Sequence, residues 1–548
     1  MQVLFVTSEA HPLAKTGGLA DVSHALPIAL KRRGVDVRLM LPGYPGALAQ
    51  LERPRSLVSL APMLGIDDAM LIAGELPGTN VPVLLVEAPS LFRRDGGLYQ
   101  CCDGSAWPDN ALRFAFLSHV AAKVAMGRAG LGWTPDIVHA NDWHTGLLPL
   151  LLSREEEPKP GTVFTAHNMA FQGNFPPETM AEAGIPEEYF HGGDIEFFGQ
   201  VSFLKAGLRY ADRVTTVSPN YAREILTPEF GFGLEGLLRE RDGNFTGILN
   251  GIDDTSWDPA TDVHLPQTFA AGDISGKRIC KIELQREFGL PICPKTPLIG
   301  FVSRIAHQKM ADAILAALPW LVEQGAQFVL LGQGEADLEA EFVKAQIQYE
   351  NCVSVRIGYD EALAHRLQAG SDILLAPARF EPCGLTQIYA LRYGTLPIVR
   401  RTGGLADTVM DANPATIGNR TATGFVFDEP NTVGLIATLD RALAFYRRPL
   451  TWRRLQLQAM AQNFSWDTSA ALYMSLYGDM AGMPLPSPAE DQPAENIAES
   501  PSRPKQTVPL NIKIGKRAGS DRSSDRRRPS IAVRKDKGED VLDGTQKL

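Results

Sequence analysis

Ile373-Leu374-Leu375-Ala376-Pro377, followed by Arg379-Phe380-Glu381-Pro382-Cys383-Gly384-Leu385-Thr386-Gln387, is the stretch on which the fold turns. The first five residues form an unbroken apolar run closed by proline, the pattern of a strand buried on both faces. Over 387–393 the spacing becomes helical. Glu381 therefore stands in the turn after a strand and just before a helix. In open α/β sheets that edge is where ligands bind. The backbone N–H groups of Cys383, Gly384 and Leu385 are placed to donate there to sugar hydroxyls or phosphate. A single Glu in such a loop serves equally well as a helix cap.

The same strand-then-helix pattern extends in both directions. Upstream, strands are expected over 3–7, 35–41, 81–87, 136–139, 162–166 and 213–217, with helices over 21–32 (interrupted at Pro27) and 111–126. A turn-rich connector, Asn250-Gly251-Ile252-Asp253, follows, and a second series of strands begins: 298–303, 328–332, 354–357, 372–376, 397–399 and 424–427. This alternation predicts an α/β chain of mostly parallel sheets covered on both faces. Two doubly wound, Rossmann-like domains, 1–245 and 246–483, are expected to face a central cleft. The last helix of the second, near 468–480, carries apolar Ala470, Leu472, Tyr473, Leu476 and Tyr477 and is expected to dock on the body.

Composition sets limits. The chain has 548 residues, 44% of them hydrophobic, which suits two domains with sizeable cores. A formal charge of −10 argues against nucleic-acid binding by the body. Six scattered cysteines are too few for a disulfide framework and fit reduced thiols. Residues 2–8 are apolar, but no basic segment precedes them and Glu9 follows at once, so a strand is expected rather than a secretory signal. No window reaches the roughly 20 apolar residues of a membrane helix. A bacterial cytoplasmic protein, with no membrane partner, is expected. From Pro484 the chain turns to Pro, Ser, Arg and Lys, and disorder is predicted over 484–548. Ten basic against three acidic residues within 513–537 suit a solvated tail or an arm for an anionic partner.

Several further motifs occur in order. They are Lys15-Thr16-Gly17-Gly18-Leu19-Ala20-Asp21, His139-Ala140-Asn141-Asp142-Trp143-His144, Thr165-Ala166-His167-Asn168, Thr215-Thr216-Val217-Ser218-Pro219 and Leu249-Asn250-Gly251-Ile252-Asp253. Then come Ser303-Arg304 with Gln308-Lys309, and Arg401-Thr402-Gly403-Gly404-Leu405-Ala406-Asp407. Taken together with the Glu381 loop, they closely resemble glycosyltransferase family five, the starch and glycogen synthases that use ADP-glucose. The resemblance spans roughly residues 1–480. It implies a GT-B fold and transfer of glucose from ADP-glucose to the non-reducing end of an α-1,4-glucan, with ADP released and no cofactor.

The resemblance also implies roles. Lys15, Gly17 and Gly18 look like the lid on the ADP phosphates; two glycines at a helix start allow close approach of an anion, although as a lone pattern they mark a plain turn. Arg304 and Lys309 match a cation pair that neutralises the diphosphate; taken singly, each reads as a surface charge. His167 is assigned to donor-glucose hydroxyls, with its main chain facing the anomeric carbon, and Asp142 to the sugar or acceptor side. Glu381 is expected to anchor glucose hydroxyls and balance charge on the transition state. Cys383, Gly384 and Leu385 supply backbone contacts, with Thr386 near the phosphates. Gly332, Gly334 and Tyr359 are assigned to the nucleotide pocket; Gly403-Gly404 is either a turn or part of the cleft. No metal is expected, and the histidines at 139 and 144 are not read as zinc ligands. One departure stands out: Met310 occupies a position where the family carries Gly. If the loop requires glycine geometry, Lys309 is displaced.

Two other readings compete. One is a relative using UDP-glucose or a short acceptor such as maltose or glucose-1-phosphate. The other is a glucan-binding protein without activity, which the intact Lys15, His167, Arg304, Lys309 and Glu381 oppose.

Overall fold

The computed structural model describes residues 1–156 and 158–482; the tail expected from 484 lies outside the described residues. Two large sheets organise the body. The first has nine strands in the order Phe245–Gly247, Arg213–Thr216, Gly161–Ala166, Ile137–Asn141, Gln2–Val6, Asp36–Pro42, Pro82–Glu87, Met70–Glu75, Glu52–Ser59. Its centre is Gln2–Val6, whose Phe5 pairs with Leu39 on one side and His139 on the other, both in parallel. Val3 to Val6 are fully buried, because helices cover both faces. The second sheet is all parallel, in the order Val353–Ile357, Gln327–Gly332, Leu298–Val302, Ile373–Leu375, Leu396–Arg400, Phe425–Phe427.

All twelve strands expected from the sequence are present. Three strands of the first sheet were not expected: Phe245–Gly247, which pairs in parallel at one edge, and Glu52–Ser59 and Met70–Glu75, which add an antiparallel edge at the other. Glu52–Ser59 is exposed at almost every residue and reads Glu-Arg-Pro-Arg, a charged, proline-bearing edge that resists pairing with another chain. That same composition hides it from a search for apolar alternation.

Winding reverses once in each sheet. In the first the reversal falls between Gln2–Val6 and Ile137–Asn141, in the second between Leu298–Val302 and Ile373–Leu375. The crevices beyond these strand ends are where an open α/β sheet takes its ligands.

The chain passes between the halves twice, side by side. The Ile252 N–H donates to the Phe464 carbonyl (2.8 Å). A Cβ on Gly251 would lie 2.7 Å from the Trp466 nitrogen, so this crossing needs glycine. The final helix, Trp466–Ala481, follows the second half in sequence but packs on the first: Ala470, Tyr473 and Tyr477 are buried in its core. The Tyr477 hydroxyl lies 2.7 Å from His139 Nδ1, and His139 Nε2 lies 2.6 Å from Thr165 Oγ1. Burial lowers the His139 pKa to about 3, so this histidine is a neutral structural link.

Candidate active site between the two halves

Asp142 and His167 follow two neighbouring strands of the first sheet. Asp142 adopts a positive φ of 62° and its carboxylate accepts from the Trp143 N–H (2.7 Å). Burial raises its pKa to about 7, and the N–H groups of Trp143 and His167 only partly offset that effect. Asn141 donates its amide to the Val6 and His139 carbonyls, which turns its Oδ1 toward His167 Nε2 at 3.0 Å. Nε2 must therefore carry the hydrogen. Burial lowers the His167 pKa to about 3. His167 is thus a neutral imidazole whose Nδ1 is an acceptor, suited to a hydroxyl donor.

The Lys15 loop closes over the same edge. Of the two glycines expected to face phosphate, Gly17 already donates its N–H to Glu9 Oε2 (3.1 Å), as does the neighbouring Thr16 N–H (2.6 Å), so these two amides are occupied within the protein. Tyr99 donates its hydroxyl to Glu9 Oε1 (2.6 Å), which completes a buried brace under the loop. A Cβ on Gly17 or Gly18 would meet nothing within 4 Å, and Gly17 is extended at φ −152°. No protein atom requires glycine at either place. Lys15 Nζ reaches across to the second half, 5.9 Å from the Tyr359 ring and 4.0 Å from Glu361, while pairing with Asp21 at 2.9 Å.

In the second half, the loops after Leu298–Val302 and Ile373–Leu375 are bound to each other. Lys309 Nζ and the Glu381 carboxylate form an ion pair that is largely buried. Gln308 accepts from the Arg379 N–H through its backbone carbonyl (2.9 Å) and donates its amide to the Phe380 carbonyl (2.6 Å). Arg379 grips Asp312 through two bonds of 2.8 Å. Arg304 is exposed, 3.4 Å from Gln308 Oε1, and among the described residues no carboxylate pairs with it. Gly332 and Gly334 have a structural reason: a Cβ on either would lie 2.0 or 2.1 Å from the carbonyls of Ser303 and Ile305. Tyr359 is exposed.

Met310 does take the left-handed conformation, φ 53° and ψ 32°, and its side chain is fully buried in the core of the second half. The glycine-like backbone and the packing therefore coexist, and Lys309 still reaches Glu381. Met310→Gly would relieve about 1–2 kcal/mol of left-handed strain. It would lose about 2–5 kcal/mol of buried side chain and about 1 kcal/mol of backbone entropy. The melting temperature should fall by several degrees. The KM for the sugar nucleotide should change little, because Gln308 and Arg379 hold the loop independently. A melting temperature at or above that of the parent would show that strain outweighs packing.

The Glu381 loop continues toward the helix Thr386–Arg392. Cys383 is buried against the first-half core, and burial pushes its thiol up to about 12, so it is no nucleophile. Gly384 has φ 74°. Among the described residues no protein acceptor takes the N–H of Cys383, Gly384 or Leu385. The Thr386 carbonyl accepts from Gln368 Nε2 (3.1 Å). Gly403 and Gly404 are more than a turn: Gly404 donates to the Glu381 and Pro382 carbonyls, both at 3.2 Å.

The motifs contain Ser218, Gly403 and Asp407, but sequence reasoning gave none of them a role in clasping the halves together, and it missed Asn220 and Glu224. Ser218 Oγ donates to the Pro382 carbonyl (2.7 Å), the Asn220 N–H to Asp407 Oδ2 (2.7 Å), and the Gly403 N–H to Glu224 (2.9 Å). Tyr221 is buried where the carboxylates of Asp142, Glu224 and Glu381 all act on it, raising its pKa after burial has done so. Glu9, set directly after the first strand, was in plain view; the other partners depend on a meeting that sequence spacing does not record. Among the described residues no group of three or more His, Cys, Asp or Glu could hold a metal ion, and no helix is long and apolar enough to cross a membrane.

Two family models match this chain: a starch synthase catalytic domain over residues 2–240 and a glycosyl transferases group 1 domain over 285–452. The glycogen synthase of Thioalkalivibrio sulfidiphilus is 50% identical over 482 residues, 88% of this chain and 100% of that one. The chain belongs to the glycogen synthase family. The glycogen synthase of Burkholderia thailandensis is 52% identical over 477 residues, 86% of this chain and 90% of the relative. Among solved structures, the catalytic domain of starch synthase IV from Arabidopsis thaliana, bound to ADP and acarbose, superposes with a TM-score of 0.79 at 34% identity. The match covers 88% of this chain and 99% of that one. The fold is GT-B, and the protein is a glucosyltransferase of glycogen synthesis.

Proposed function

We propose that this cleft moves glucose from ADP-glucose to the 4-hydroxyl at the non-reducing end of an α-1,4-glucan, with the roles divided between its two walls. The observation that carries the division is the Lys309–Glu381 pair at the winding reversal of the second sheet, beside Arg304, which has no acidic partner among the described residues. Arg304 and Lys309, with Lys15 from the opposite wall, neutralise the diphosphate. Fixed cations in a closed cleft stabilise the charge that grows on the leaving β-phosphate oxygen. Glu381 faces the glucose ring, and the free N–H groups of Cys383 to Leu385 face its oxygens or the phosphate. His167 Nδ1 accepts from a glucose hydroxyl, while Asp142 lies toward the acceptor.

Donor and product are both α-linked, so configuration is retained. The thiol of Cys383 is held protonated, and the Glu381 carboxylate is occupied by Lys309. Both facts favour displacement on one face of the sugar over a covalent intermediate. The bond from C1 to the phosphate oxygen breaks, the bond from C1 to the acceptor oxygen forms, and the hydroxyl proton passes to the departing phosphate. The ADP and acarbose bound by the Arabidopsis relative suit a nucleotide and an oligosaccharide in one cleft. Free thiols at all six cysteines fit a reducing, cytoplasmic setting.

The test is initial rates on glycogen with ADP-glucose and with UDP-glucose, each with and without EDTA. ADP-glucose should be strongly preferred. The rate should survive EDTA, because three side-chain cations answer the diphosphate. Preference for UDP-glucose, absence of transfer from either donor, or activity restored only by a divalent ion would overturn this assignment.

A further inference from the structure

Cys101 and Cys102 are adjacent, the one such pair among the six cysteines of the chain. Both are free thiols; Cys102 is exposed and Cys101 half-buried. They open a tight turn. The Gly104 N–H donates to the Cys101 carbonyl (3.0 Å), Gly104 takes φ 84°, and the Cys101 N–H donates to the Ser105 carbonyl (2.8 Å). Asp103 Oδ1 accepts from the Ser105 N–H (2.9 Å) and hydroxyl (2.6 Å), so the tip of the loop has little slack. The Cys102 thiol donates to the Asp95 carbonyl (3.6 Å).

The base of the same loop is Tyr99, two residues before Cys101. Its carbonyl accepts from the Trp107 N–H (3.0 Å) and the Asn110 amide (2.9 Å), and the Leu98 carbonyl beside it accepts from Arg113 (3.0 Å). Its hydroxyl lies 2.8 Å from Ser8 Oγ and donates to Glu9 Oε1. Glu9 Oε2 in turn holds the N–H groups of Thr16 and Gly17, directly after Lys15. Two accessible thiols are therefore joined to the loop that carries Lys15 through one tyrosine and one carboxylate.

We infer that Cys101 and Cys102 form a reversible oxidation site that controls the Lys15 loop. The inference rests on the glucosyltransferase reading above, in which Lys15 answers the diphosphate. The oxidant is a peroxide. The thiolate of Cys102, the more exposed of the two, attacks one peroxide oxygen; the O–O bond breaks, hydroxide leaves, and a sulfenic acid remains. The Cys101 thiolate attacks that sulfur, the S–S bond forms, and a second hydroxide leaves. The two thiol protons turn both hydroxides into water, so two thiols give two electrons to one peroxide. A dithiol reductant reverses the step by exchange. Adjacent Cα atoms are about 3.8 Å apart, below the roughly 4.4–6.8 Å usual for a disulfide, so the ring closes only if the turn is reshaped. Strained, exposed disulfides are the readily reduced, regulatory kind. Because the tip is hydrogen-bonded to itself and to its base, the displacement reaches Tyr99 and withdraws its hydroxyl from Glu9.

The test is hydrogen peroxide on the reduced full-length protein, repeated in Cys102→Ser and Tyr99→Phe, and read by peptide mass and by kinetics. The peptide carrying residues 101 and 102 should lose two hydrogens. The kcat/KM for ADP-glucose should fall about tenfold, the scale of one hydrogen bond to a charged group. Dithiothreitol should reverse both changes. Cys102→Ser should match the parent before peroxide and keep its kcat/KM afterwards. Tyr99→Phe lacks the hydroxyl, so it should start with a lowered kcat/KM that peroxide barely lowers further, although the ring still closes. Thiols that stay free, or that pass to sulfinic acid without a disulfide, would overturn the site. So would a disulfide that leaves kcat/KM unchanged, an equal loss in Cys102→Ser, or a Tyr99→Phe as sensitive as the parent. The parent's rate before peroxide tests the functional reading alone. Ring closure is read from mass, and its effect on ADP affinity from calorimetry, whatever that rate is, so the two failures are told apart.

Discussion

Glu381→Ala is expected to lower kcat by about 10²–10³-fold or more, the loss that follows removal of one preorganised charged group from a transition state. ADP affinity should hold or tighten. The Lys309 ammonium is paired with this carboxylate in a largely buried position, and a buried cation left without its partner seeks another anion. The diphosphate is the obvious one. Glu381→Gln should behave similarly, since it keeps the volume and loses the charge. Rates from single turnovers and ADP affinity from calorimetry check the two halves of the expectation separately. Activity within a few-fold of the parent would remove Glu381 from the mechanism. A parallel collapse of ADP binding would show that the carboxylate only orders the loop.

Gly403→Ala should be nearly as severe without touching a substrate. Gly403 has φ 43°, and a Cβ there would lie 1.7 Å from the Glu381 carbonyl oxygen. That oxygen is main chain and cannot swing aside, so the loop carrying Glu381 must move by more than an ångström or the helix Gly403–Thr408 must back away. Displacement on that scale costs about 10²-fold in rate when the moved group is catalytic. The same shift strains the Glu224 hold on the Gly403 N–H, so the melting temperature should also fall. Gly236→Ala is the control. Its Cβ would meet nothing within 4 Å, and it lies on the exposed side of a helix, so activity and stability should be those of the parent. Unchanged activity in Gly403→Ala would mean that the Glu381 loop accommodates the methyl group freely.

Much of the proposed site is legible because its residues sit beyond the ends of strands. The buried strands are runs of Val, Leu, Ile and Phe, and a doubly wound sheet exposes the residues just past each run to a ligand. Asp142, His167, Lys309 and Glu381 all follow such a run within a few positions. What the run does not disclose is the partner at the other end of a hydrogen bond. The Lys15 loop looked like an amide cradle for phosphate, yet two of its amides belong to Glu9. Gly332 and Gly334 looked like ligand glycines, yet each is required by a carbonyl of the adjoining loop. Met310 looked like a defect, yet it holds a glycine conformation while filling a core position.

The sequence by itself determined the fold class, because apolar periodicity is a local property of the chain, while the roles proposed for the charged residues came from the resemblance of its motifs to a family. Only the tertiary structure decided which groups face one another. The final helix returning to the first half, the grip of Glu224 on Gly403 and the tautomer of His167 set by Asn141 join residues far apart in sequence. Those pairings come from how two sheets are packed across a cleft, and burial then sets the charge of each group that the packing has enclosed.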